Sequence, residues 1–92
     1  MSQGHAWIVS VDRRVLDWRE LIAALRPLCA GVEGVQLVEL DALAIESAPD
    51  SGSYRDFTPV AHISHPDSAR PLEYVAEVVL DTFGWGVDLR PR

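Results

Sequence analysis

Residues 6–12, AWIVSVD, alternate: Trp7, Val9 and Val11 fall on one side, Ala6, Ile8 and Ser10 on the other. A period of two predicts a strand with one well-buried face. After Asp17 the period lengthens. Trp18, Leu21, Ile22, Leu25, Leu28 and Cys29 recur at helical spacing, with Asp17 suited to the N-cap and Glu20 to the third helical position. Pro27 removes the donor that the Ala23 carbonyl needs, so this helix is expected to end at Arg26, or to kink and finish before Gly31. Residues 34–40, GVQLVEL, predict a second strand, which DALAIE (41–46) continues. Val38 and Leu40 have one parity and Leu43 and Ile45 the other, a change that a bulge near Asp41 would absorb. Residues 47–56, SAPDSGSYRD, form a turn-rich loop, and 57–64, FTPVAHIS, a third strand with Pro59 near its start. Ser68 can cap a second helix with Pro71 in its first turn; Leu72, Val75, Ala76, Val79, Leu80 and Phe83 follow, and Gly84 stops it. WGVDL (85–89) is a short last strand with Trp85, Val87 and Leu89 on one side, and 90–92 is a frayed tail.

The order is β-α-β-β-α-β. Right-handed crossovers then place both helices on one face of an antiparallel sheet of order 4-1-3-2, an α+β, ferredoxin-like split βαβ sandwich. The 92 residues make one domain. On this reading the helices cover Trp7, Val9, Val11, Val38, Leu40, Ile63, Trp85 and Val87, and the open face shows Ile8, Val35, Leu37, Val60 and His62. A contiguous apolar patch of that kind marks an interface, and either a second copy or a foreign protein would cover it.

Charge narrows the choice of partner. The net charge is −6, and residues 27–69 hold the whole excess: Arg55 stands against Glu33, Glu39, Asp41, Glu46, Asp50, Asp56 and Asp67. Such a surface repels phosphate backbones, so direct nucleic-acid binding is not expected. The composition, 48% hydrophobic and 24% charged, is that of a folded chain rather than a disordered one. All eight basic residues are arginine, with no lysine or asparagine, which suggests GC-rich bacterial or phage coding. No basic start followed by an apolar run and no membrane-length apolar stretch is present, so a cytoplasmic location and no membrane partner are expected. Cys29 stands alone, excluding an internal disulfide and a cysteine-based zinc site; its place on the helix reads as core filling.

The stretch richest in chemistry is HISHPD, residues 62–67. On a strand His62 and His65 point to opposite faces, and Pro66 keeps His65 extended, so the pair cannot share a metal. Pairing the first and third strands through Trp7 and Ile63 sets His5 opposite His65, where a metal would need a further ligand such as Asp67. The favoured reading is a strand end meeting a helix cap, with no cofactor and no metal. AGVEG (30–34) follows a helix and precedes a strand, the wrong order for a phosphate loop. Glu73, Glu77 and Asp81 read as a plain solvent stripe. The function expected is a non-enzymatic, acidic protein-binding module of inhibitor, immunity or adaptor type, blocking a basic, nucleic-acid-binding surface of its partner by charge mimicry. Its contacts would come from Glu39, Asp41, Glu46, Asp50, Tyr54, Arg55, Asp56 and Phe57 on the hairpin and loop, and from Ile8, Leu37, Val60 and His62 on the sheet. The alternative is a small dimeric enzyme or ligand sensor with histidines in a cleft.

Overall fold

The computed structural model describes residues 4–47 and 57–91. Strand β1 (His5–Val11) leads to helix α1 (Trp18–Ala30), strand β2 (Gln36–Glu39), a short helix α2 (Ala42–Ser47), strand β3 (Thr58–His65), helix α3 (Arg70–Phe83), one 3₁₀ turn (Gly84–Gly86) and strand β4 (Val87–Pro91). The fold is α+β. Its antiparallel sheet runs β2-β3-β1-β4, the expected order read from the other edge. Leu21, Ile22, Leu25 and Cys29 of α1 and Leu72, Val75 and Val79 of α3 join Val9, Val11, Ala61, Ile63 and Val87 of the sheet in one buried cluster. Both long helices therefore lie on one face, and the other face is uncovered by any described element.

Local chemistry explains the helix ends. Asp17 caps α1 by accepting the Arg19 N–H at 3.0 Å. The helix runs through Pro27, and the Gly31 N–H closes it onto the Pro27 and Leu28 carbonyls, the second of the two expected endings. Pro71 sits in the first turn of α3, and Gly84, with φ of 57°, ends that helix by donating to the Leu80 carbonyl.

Four expectations are corrected. DALAIE is not a strand. Asp41 accepts the Leu43 N–H at 2.9 Å and caps α2, which buries Ile45 (1% exposed) and turns Leu43 outward (69%). Leu37, not Val38, faces the helices: pairing sets Leu37 beside Ile63 and Val38 beside His62, leaving Val38 56% exposed on the open face. Val60 is absent from that face too. Val9 pairs with Ala61 but Ser10 with Pro59, so Val60 is the extra residue of a β-bulge, and it and Ala61 are both fully buried. Trp85 belongs to the 3₁₀ turn and is 93% exposed, so β4 begins only at Val87.

Candidate functional site

The histidines divide between structure and surface. His62 stands on the open face between Ile8 and Val38. His65 pairs with His5 across β1 and β3, as the register predicted. Its Nδ1 accepts the backbone N–H groups of Asp67 at 3.1 Å and Ser68 at 3.0 Å, so the imidazole holds the turn into α3. Its Nε2 lies against Gly34, where an added Cβ would come within 2.5 Å. Gly34 also has φ of 84°, a conformation open to glycine and strained for other residues. Among the described residues no three His, Cys, Asp or Glu side chains gather as metal ligands.

The acidic rim is largely spent on the fold. Glu39 pairs with Arg26 and Glu46 with Arg19, and the Arg19 guanidinium also lies 4.9 Å from the Trp18 ring centroid. Asp41 is the α2 cap. At the far end of α2, Arg13 donates to the Ile45 carbonyl at 2.9 Å and the Glu46 carbonyl at 3.3 Å. Asp50, Tyr54, Arg55 and Asp56 lie outside the described residues. Asp12, in the β1–α1 turn, is buried and accepts both the Arg14 N–H at 3.0 Å and its guanidinium. The Arg14 side-chain bonds lower the Asp12 carboxyl below its ordinary value; burial opposes them, and the Arg14 N–H and charge add to them. Burial alone raises the Cys29 thiol, in keeping with its place in the core.

On the open face, Ile8 and Phe57 line a shallow depression of about 270 Å³ with Ser10, Pro59, Asp88 and Arg90. Of the four sheet residues expected to meet a partner, Ile8 and His62 are there; Leu37 and Val60 are not, for the register and bulge reasons given above. The depression holds no surplus charge, because Arg90 donates to Asp88 at 2.8 Å.

A different surface combines charge with apolar area. Along the outer flank of α3 runs an open groove of about 780 Å³, lined by Trp7, Tyr74, Ala76, Val78 and Leu80 together with Glu73, Glu77 and Asp81. The three carboxylates recur every fourth residue, on one stripe of the helix. None of them pairs with an arginine among the described residues. The helical period places Leu80 on the buried stripe, but it is 43% exposed, and Tyr74 is 54% exposed. The available signal was that Tyr74 lies off the stripe of Leu72, Val75, Ala76 and Val79. The groove is lined by carboxylates, a tyrosine and apolar side chains. Family models, curated proteins and solved structures yield no match to this chain, and the reading of the site rests on its own geometry.

Proposed function

We propose that this chain is a non-enzymatic, acidic protein-binding module of inhibitor, immunity or adaptor type, built on a ferredoxin-like split βαβ frame, whose partner presents a basic, amphipathic segment. One observation carries the reading: the carboxylates of Glu73, Glu77 and Asp81, without arginine partners in the described structure, border the apolar floor of the α3 groove. Like charges four residues apart repel, and Asp81 in the last turn faces the negative end of the helix dipole with no basic residue nearby in that turn. A lysine- or arginine-bearing segment relieves both conflicts while its apolar side covers Trp7, Tyr74 and Leu80. The hairpin rim is a poorer mimic of phosphates, because Glu39 and Glu46 already hold arginines of α1. The histidine-cleft reading finds less support: His62 lies on the sheet face opposite to His5 and His65, and one nitrogen of His65 serves the backbone.

The test uses a synthetic amphipathic helical peptide of leucine and arginine, with a glutamine-for-arginine version as control, titrated into isotope-labelled protein. Amide shifts are expected at residues 73–81 and around Trp7 with the basic peptide alone. Glu73→Arg together with Glu77→Arg is expected to abolish them, and Glu39→Gln together with Glu46→Gln to leave them. Shifts confined to residues 39–46, or equal shifts with the glutamine peptide, would refute the assignment.

A further inference from the structure

The two edges of the sheet differ in what they offer another strand. At the β4 edge, the Asp12 N–H donates to the Gly86 carbonyl. In the register that follows, Ser10–Asp88 and Ile8–Arg90 are the hydrogen-bonded pairs, and Val87, Leu89 and Pro91 turn their backbone groups outward. The Val87 N–H is already bonded to the Gly84 carbonyl and Pro91 has none, so Leu89 alone presents an outward donor. That edge is blunted. At the β2 edge, the Leu40 N–H donates to the Val60 carbonyl at 3.0 Å. Val38–His62 and Gln36–Ser64 are then the hydrogen-bonded pairs, which leaves Leu37 and Glu39 with both N–H and C=O facing outward. Gln36, Val38 and Glu39 are all exposed.

We propose that a second copy of this chain adds to the β2 edge, strand β2 against strand β2, antiparallel about a twofold axis at Val38, so that the two sheets become one. The register is self-complementary. Leu37 of each copy meets Glu39 of the other in a hydrogen-bonded pair that exchanges both N–H···O bonds, and Val38 meets its own counterpart in a non-hydrogen-bonded pair, where side chains approach most closely. No carboxylate faces a carboxylate. Each Glu39 keeps its own Arg26, so charge at this edge is already matched within each copy, whereas a basic foreign strand would have to displace that arginine. Centring the axis on Glu39 would oppose two carboxylates. Centring it on Leu37 would pair Glu39 with Val35, whose N–H is held by the Val32 carbonyl at 3.3 Å. This inference uses the edge and not the open face, and it stands independently of the α3 groove.

The decisive variant is Val38→Cys. Cα atoms in a non-hydrogen-bonded pair lie about 4.5 Å apart, within reach of a disulfide. Mild oxidation is expected to give a covalent dimer, whereas Leu43→Cys, at a position of comparable exposure, stays monomeric under the same conditions. Cys29 is buried and common to both. By sedimentation equilibrium the wild type is expected to dimerise. Val38→Asp sets two carboxylates face to face and should dissociate it at least about tenfold more readily. Glu39→Pro removes one outward donor and leaves the β3 ladder intact, so it should weaken the dimer as well, while Glu39→Gln keeps the donor and the dimer. Circular dichroism confirms that each variant is folded. The proposal is overturned by a wild type that remains monomeric up to about 1 mM, a Kd that corresponds to only about −4 kcal/mol, by equal cross-linking at both cysteine positions, or by a dimer that survives Val38→Asp.

Discussion

The His65 imidazole occupies the space where Gly34 has no side chain, and the same ring anchors the turn into α3 through Nδ1. Gly34→Ala combines a left-handed backbone with a side-chain clash and is expected to cost about 2–4 kcal/mol. His65→Ala leaves two N–H groups to find water and should cost about 1–2 kcal/mol. Combined, they should cost less than their sum, because the clash disappears while the strain of the positive φ stays. Urea titration of the three proteins tests this, and strict additivity would refute the contact. Asp12 gives a pH signature. Its folded carboxyl value lies below the ordinary 3.8, so its stabilisation is complete above that value and is lost as pH falls through the lower folded value. The gap in urea midpoint between wild type and Asp12→Asn should therefore be flat near neutrality and should close under acid. A gap that persists unchanged into strong acid contradicts the Arg14 account.

At the scale of elements, the long helices were legible in the sequence because period, cap and stop agree. Asp17, the stripe Leu21, Ile22, Leu25 and Cys29, and Gly31 point to one answer, as do Pro71, the stripe Leu72, Val75 and Val79, and Gly84. Helix α2 was not legible. Six residues are too few for a helical period to separate from a strand, and a six-residue helix is not stable alone. Its stability comes from the Asp41 cap, the burial of Ile45, the Arg13 bonds to its last carbonyls and the Glu46–Arg19 pair. These contacts lie about thirty residues away along the chain for Arg13 and Arg19, beyond the reach of any local pattern. Pro27 is the one local conflict in α1. It is exposed, so Pro27→Ala should restore the bond to the Ala23 carbonyl without disturbing the core and raise stability by about 1–3 kcal/mol. Thermal unfolding measures it; a lower melting temperature would mean that the proline is needed for packing.

For the whole molecule, the uneven charge read along the chain is redistributed in space. The basic first third supplies Arg19 and Arg26 to the acidic middle, while Glu73, Glu77 and Asp81 of α3 have no arginine partner among the described residues. The groove and the β2 edge lie on different elements and carry different electrostatics, so salt separates them. Raising ionic strength from about 0.05 M to about 0.5 M shortens the screening length several-fold. Binding of the basic peptide should then fall steeply, while self-association of a chain with net charge −6 should hold or strengthen. Sedimentation and calorimetry across that series read both, and a parallel response of the two would show that they share a surface. None of the described helices is long and apolar enough to cross a membrane.

Period, caps and glycine stops determined the α+β class and the two long helices, because they act over neighbouring residues; with the right-handed crossover rule and the matched apolar faces of β1 and β3 they also gave the strand order and the pairing of His5 with His65. Tertiary structure decided which side of β2 is buried, and which side of β3 at its bulge. The parity of Leu37 and Val38 depends on how β2 meets β3, and one extra residue at Val60 reverses the local face of β3. It also decided which carboxylates remain available, since ion pairing joins residues far apart in sequence. Burial and charge pairing are properties of the assembled sheet and helices, and only the folded chain brings those partners together.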